Sequence, residues 1–304
     1  MNNGRDMLAL AELLELVFGS DLDPAARQLV RGMRTLGRFG WLGGLLSRVL
    51  LAPAAAPRGY VWEESGRLVG NASLLPVAGH PQRWVLANVV VHPEFRRRGI
   101  GRELVEACLR LAGQRGIQTL VLQVNTDNPT AERLYLRLGF RTLSARTTWM
   151  RLGGGLAAPG PSAPEVRPRV AGEWPDQWAL AQRLYPEGLI WPSPLHPGTF
   201  RASRSENRHW VWYRGAQLLG SLTALPRGGG WRLILLAQPE AAGEVEAALL
   251  DRALPALAAE HSSLVLDYPV GAAESTLRQA GFRPERSLTW MEREVSSAAP
   301  GIAA

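Results

Sequence analysis

Val89-Val90-Val91-His92-Pro93-Glu94-Phe95-Arg96-Arg97-Arg98-Gly99-Ile100-Gly101-Arg102 is the stretch on which the fold turns. The valines close an apolar run beginning at Trp84, which reads as a buried strand over residues 84–91. His92-Pro93 ends it, a turn rich in Arg and Gly follows, and helical spacing begins at Ile100. A helix that opens on such a turn exposes unpaired backbone N–H groups and the positive end of its dipole, a ready anion site. Gly99 and Gly101 let the backbone approach a phosphate without a Cβ in the way. Arg96, Arg97 and Arg98 add charge and bidentate donors. Neither familiar nucleotide loop fits. The dinucleotide fingerprint needs a third glycine where Leu104 stands, and a P-loop needs Gly-Lys-Ser/Thr in a chain without lysine.

Outward from this stretch the pattern stays regular. A helix over 100–115 puts Leu104, Cys108 and Leu111 on one face and is capped by Gly116. A strand at 119–124, a short helix at 129–138 closed by Gly139 and a strand at 146–151 follow. Upstream, 59–63 and 67–75 read as a hairpin across Glu64-Ser65-Gly66, and 7–18 as an amphipathic helix. A second helical stretch runs to about Leu51. The second half repeats the order: strands at 209–213, 217–226 and 231–237, a helix at 240–254, a strand at 264–268, a helix at 272–280 and a strand at 287–292. Gly139-Phe140 with Thr148-Trp149-Met150 returns as Gly281-Phe282 with Thr289-Trp290-Met291. Two copies of one α/β unit, of mixed α+β type with a mostly antiparallel sheet flanked by helices, account for this most simply.

The chain of 304 residues is longer than one core usually serves. We place a first domain at 1–152, a linker rich in Gly, Pro and Ala at 153–164, a second domain at 165–295 and a disordered tail at 296–304. With 46% hydrophobic and 20% charged residues the composition is that of a globular protein. The apolar segment 36–53 is broken by Arg38 and Arg48, and Glu12 and Glu15 interrupt any secretory h-region, so no membrane span and a cytoplasmic location are expected. Cys108 is the only cysteine and the five histidines lack ligand spacing, so neither a disulfide framework nor a metal site is expected. All 34 basic residues are arginine. They are spread along the chain without an aromatic-lined stripe, which reads as a GC-rich genome rather than as a nucleic-acid binder.

The glycine turn resembles the acyl-CoA loop of the GNAT (GCN5-related N-acetyltransferase) family, whose pattern is Arg/Gln-x-x-Gly-x-Gly/Ala. Arg96-x-x-Gly99-x-Gly101 matches it after Val91-x-Pro93. A second signature of that family resembles Asn-x-x-Ala-x-x-Leu-Tyr-x-x-x-Gly-Phe, and this chain carries Asn128, Ala131, Leu134, Tyr135, Gly139 and Phe140 at that spacing. Both matches, in order, make the likeness specific over residues 59–151. It implies acetyl-CoA as cosubstrate. Main-chain groups of Val89, Val90 and Val91 would pair with pantetheine, the amides from Arg97 through Gly99, Ile100 and Gly101 to Arg102 would hold the pyrophosphate, and Asn128 would touch the arm. It implies transfer of an acetyl group to a primary amine, on a small molecule or a protein amino terminus, with Tyr135 as the acid. One departure stands out: family members usually open with a strand, for which residues 1–6 are short and polar.

Each candidate also has a plain structural role. Tyr135 shares a helical face with Ala131 and Leu138, and Asn128 before Pro129 makes a good N-cap. The general base is not readable. The strand at 84–91 has no carboxylate, and Glu63 and Glu64 on the hairpin are candidates working through water. His92 reads as a solvated spacer and Cys108 as core. No nucleophile stands beside a base, which argues for direct transfer. In the second half the corresponding loop is Gln238-Pro239-Glu240-Ala241-Ala242-Gly243-Glu244-Val245, without arginine, and Leu277 takes the place of Tyr135. That half reads as a degenerate copy, structural or acceptor-binding, whose tryptophans, from Trp174 to Trp290, belong to its core and hairpin, the alternative being that some of them wall a substrate cleft. Residues 32–53 stay open between an acceptor-side wall, packing on the second half, and a homodimer contact. Two rivals remain: a non-catalytic acyl-CoA sensor, and an enzyme using another acyl donor.

Overall fold

The computed structural model describes residues 6–19, 30–32, 34, 58–152, 165–201, 207–257 and 263–295. The expectations for a linker at 153–164 and a tail at 296–304, and nearly all of that for 32–53, lie outside them.

Helix α1, Met7–Phe18, has the bounds its apolar spacing predicts and buries Leu10, Leu13 and Leu14. The hairpin forms as β1, Arg58–Glu64, and β2, Arg67–Val77, with Ser65 and Gly66 both at positive φ in its turn. β3, His80–Val91, starts earlier than expected because Gly79, at φ +77°, folds the chain back onto β2. Next come α2, Ile100–Gln114, β4, Thr119–Asn125, α3, Pro129–Arg137, and β5, Arg141–Arg151. α2 buries Leu104, Val105, Cys108 and Leu109 and packs on β1, β2 and β3.

The second repeat adds two elements that carried no clear periodicity, β6, Val166–Pro168, and α4, Trp174–Leu184. β7, Arg208–Arg214, β8, Gln217–Arg227, and β9, Gly230–Ala237, follow. The helix expected at 240–254 begins instead as a tight 3-10 turn, Pro239–Ala241. Gly243 at φ +88° interrupts it, and α5, Glu244–Leu257, continues through Pro255. β10, Ser263–Pro269, α6, Glu274–Gln279, and β11, Arg283–Glu294, complete the chain.

Two compact units emerge. One comprises Met1–Gln123, Asn128–Thr142 and Met291–Ala304, the other Val124–Asp127 and Leu143–Trp290. The repeats as they run in sequence and the units as they pack therefore differ in their last strand. In the first unit β1, β2 and β3 are antiparallel and β4 lies parallel to β3. This unit is closed by the end of β11: Glu292 ion-pairs with Arg83 at 3.3 Å and with Arg141, Arg293 donates to the Leu138 carbonyl, and the Val295 N–H donates to the Gln118 carbonyl at 2.8 Å. In the second unit β6 to β9 are antiparallel and β10 is parallel to β9. It is closed by β5, paired antiparallel with β10 from Leu264↔Arg151 to Pro269↔Arg146. Each Gly-Phe turn consequently faces a strand from the other repeat, Gly139 against Arg293 and Gly281 against Arg151.

Candidate functional site

The site is built on a defect in β3. Pairing with β2 steps from Ser73↔Ala87 to Asn71↔Val90, leaving Asn88 as an extra residue at φ +53°. Such a bulge bends its strand and sharpens the local twist. On its other edge β3 pairs with β4 only over Arg83↔Thr119, Trp84↔Leu120 and Val85↔Val121. Beyond Val85 the edge toward β4 has no ladder, so the segment carrying Val89, Val90 and Val91 presents main-chain groups that an extended ligand can pair with. Asn71, fully buried, donates through Nδ2 to the Asn88 carbonyl at 2.8 Å and to Ser73 Oγ at 3.0 Å.

The end of β3 leads into a tightly tied turn. His92 is buried, correcting its reading as a solvated spacer. Arg67 lies 2.8 Å from His92 Nε2, and His92 Nδ1 accepts from the Glu94 N–H at 3.4 Å. Glu94 Oε2 lies 3.8 Å from that Nδ1. The signal was compositional rather than local: a histidine after a buried strand needs a partner, and Arg67 lies far off in sequence. Arg96 donates through Nε to the Val91 carbonyl at 3.2 Å, Arg97 sits at φ +63°, and Arg98 stacks over Phe95 and ion-pairs with Glu64 at 3.3 Å.

At the mouth of α2, Gly99 is the N-cap at φ +83° and supplies no capping side chain. The first helical bond runs from the Glu103 N–H to the Gly99 carbonyl at 3.1 Å, which leaves the amides of Ile100, Gly101 and Arg102 without intrahelical acceptors. Gly101 is informative for a different reason. Its φ is not positive, and an added Cβ would meet only Val91 and Leu134 at 3.6 and 3.7 Å, ordinary contacts. Neither backbone nor packing requires glycine there, although glycine inside a helix costs about 1 kcal/mol relative to alanine. The same contacts show that β3, the α2 mouth and α3 converge at this point.

Asn128 caps α3, its Oδ1 accepting from the Ala131 N–H at 3.1 Å. Tyr135 on that helix is buried edge-on to Phe140, and burial pushes its pKa up, so it holds its proton at neutral pH. The sealed polar atoms without partners among the described residues are Asn71 Oδ1, Trp149 Nε1, Arg169 Nε and Ser221 Oγ. The Tyr135 hydroxyl is not one of them. Cys108 is enclosed, its thiol pushed up to about 12 by desolvation, which leaves it inert. Of the carboxylates considered for a base, Glu64 is engaged by Arg98. Along the outer side of α2 a groove of about 470 Å³ is lined by Arg102, Arg110, Arg137 and Arg293 with Glu106 as its one acidic residue, a positive approach for a polyanion. Asn71 and the Asn88 bulge escaped notice in the sequence, although β3 is one residue longer from Trp84 to Pro93 than β9 from Trp231 to Pro239.

The chain resembles known acetyltransferases. Residues 33–140 match the model of the Acetyltransferase (GNAT) family. A [ribosomal protein bS18]-alanine N-acetyltransferase of Salmonella typhimurium is 41% identical over 64 residues, which cover 21% of this chain and 43% of that protein. A mycothiol acetyltransferase of Nocardiopsis dassonvillei is 34% identical over 130 residues, 40% of this chain and 37% of that protein. The chain thus spans less than half the length of these curated relatives. Among solved structures, a GCN5-related N-acetyltransferase from Sphaerobacter thermophilus superposes with a TM-score of 0.58 at 17% identity, covering 96% of this chain and 93% of that one, a likeness of fold.

Proposed function

We propose that this chain, a member of the GNAT family by the domain it carries at residues 33–140, transfers an acetyl group from acetyl-CoA directly to a primary amine. The observation that carries the reading is an open helix mouth beside an unladdered strand edge, both in one unit. The diphosphate takes the amides of Arg97 to Arg102, and the pantetheine arm runs along Val89 to Val91 past Asn128. The amine lone pair adds to the thioester carbonyl, the C–N bond forms as the C–S bond breaks, and the departing sulfur receives a hydrogen bond and proton from the Tyr135 hydroxyl. The amine gives up its proton to solvent, solvent returns a proton to the Tyr135 phenolate, and we assign no general base. We read the enzyme as cytoplasmic; no helix among the described residues is long and apolar enough to cross a membrane.

The names of the relatives point to an amino-terminal alanine and to small amines as acceptors worth trying. Release of free CoA thiol from acetyl-CoA, measured against a panel holding alanyl peptides and small primary amines, tests the proposal. Turnover with at least one amine is expected. Acetyl-CoA that stabilises the fold, by about 2.7 kcal/mol at a hundredfold excess over Kd, without turnover of any amine would favour a sensor instead. Preference for a longer acyl-CoA would change the donor.

A further inference from the structure

We propose that Asn71 is a positioning residue for the acyl-CoA arm: it clamps the Asn88 carbonyl, and so holds the bulge that keeps β3 parted from β4. The proposal rests on the acyl-CoA reading above. The Asn88 carbonyl can only accept, so the amide nitrogen of Asn71 must face it, which fixes the orientation of the side chain. That orientation turns Oδ1 to a place where no donor reaches it. A sealed, unpaired carbonyl oxygen is unfavourable. So is a residue other than glycine at φ +53°. Two unfavourable features therefore meet at one point, and what they hold is the gap where the thioester arm is to lie.

The second repeat supplies the control. Ser221 stands where Asn71 would recur, and the ladder between β8 and β9 runs unbroken from Gly220↔Ala237 to Arg227↔Gly230. Ser221 Oγ is unpaired as well, so an unpaired atom alone does not mark the site. What distinguishes Asn71 is its donation to a bulge carbonyl. Clamp and bulge occur together where the helix mouth is open, and both are missing where, as described below, it is filled.

The test compares two ligands by calorimetry on the full chain, acetyl-CoA and adenosine 3′,5′-bisphosphate, which has phosphates but no pantetheine arm. For Asn71→Ser we expect acetyl-CoA to bind about tenfold more weakly, the size of one lost hydrogen bond, and the bisphosphate to bind as in wild type. Unchanged acetyl-CoA affinity, or a parallel loss of both ligands, overturns the proposal. If Asn71→Ser does not fold, deletion of Asn88, which gives β3 the length of β9, is judged by the same pair of ligands and must weaken acetyl-CoA alone. Wild-type chain that binds no acetyl-CoA overturns this proposal and the proposed activity together, whereas wild-type binding with an indifferent Asn71→Ser sinks only this one.

Discussion

The two repeats share a plan and differ at the mouth of one helix. Gly99 and Gly243 are matching N-caps, at φ +83° and +88°. Two residues on, Gly101 in the first repeat is matched by Val245 in the second, and Arg102 by Glu246. Val245 is fully buried, close enough to Gly220 that a Cβ there would lie 2.3 Å from it. Glu246 bends back so that the Gly243 N–H donates to Oε2 at 2.6 Å, while the Tyr268 hydroxyl donates to Oε1 at 2.8 Å. The second helix thus satisfies its own opening with an internal anion and an apolar plug, whereas the first leaves amides and space. The lesson is that one scaffold becomes a site or a support according to who occupies the helix dipole.

The largest effect should come from making the first mouth resemble the second. Gly101→Val is expected to lower acetyl-CoA affinity at least about 100-fold, roughly 2.7 kcal/mol, with the melting temperature held or raised, because valine is a better helix former than glycine. Calorimetry beside a thermal melt checks both; binding that survives removes the difference on which the comparison stands. Next, Tyr135→Phe should cut kcat by about 100-fold with little change in KM for acetyl-CoA, as steady-state thiol release would show. Leu277 holds the corresponding place in the second repeat, fully buried, with no hydroxyl to offer.

Smaller effects belong to the second repeat. Glu246→Ala strands the Gly243 amide and takes one of the Tyr268 hydroxyl's partners, leaving it Tyr185, and should cost about 2 kcal/mol of stability in denaturant unfolding while leaving acetyl-CoA affinity unchanged. A fall in affinity would mean the second mouth takes part in binding. The smallest concerns pH. His209, which donates to or accepts from Thr223 Oγ1 at 2.9 Å, has its pKa pushed down to about 4, first by burial and then by the Arg169 charge. A base with a depressed folded pKa adds stability above its ordinary value of 6.5 and loses it as pH falls toward 4. The melting temperature should drop over that window, and His209→Gln should flatten the drop; equal slopes would deny that the buried ring is its cause.

Local rules made much of this legible. The i, i+3, i+4 leucines of α1 fix its face and bounds, and the punctuation at Gly116, Gly139 and Gly281 places the helix ends. Asn128 and Pro129 spell an N-cap, and the structure makes it one. Of the tryptophans expected in the second core, Trp210, Trp212 and Trp290 are buried, while Trp174, Trp178, Trp191 and Trp231 are half-buried, Trp191 lying against Trp290 at 5.4 Å. Hidden were features that depend on partners far away in sequence. β5 and β11 carry the same Thr-Trp-Met pattern, so nothing local says which sheet each will close. The burial of His92 depends on Arg67, and the α4 segment, with its Trp and Pro, has a blurred helical period. The bulge at Asn88 showed only as one extra residue between landmarks, visible once the repeats are laid side by side.

Amide hydrogen exchange with and without acetyl-CoA tests the central claim most directly. Protection should rise over residues 86–91 and 97–102 on adding the ligand and stay as it was over 238–246. Protection gained at 238–246, or none at 97–102 under saturating acetyl-CoA, would contradict the claim that only the first repeat holds the cofactor.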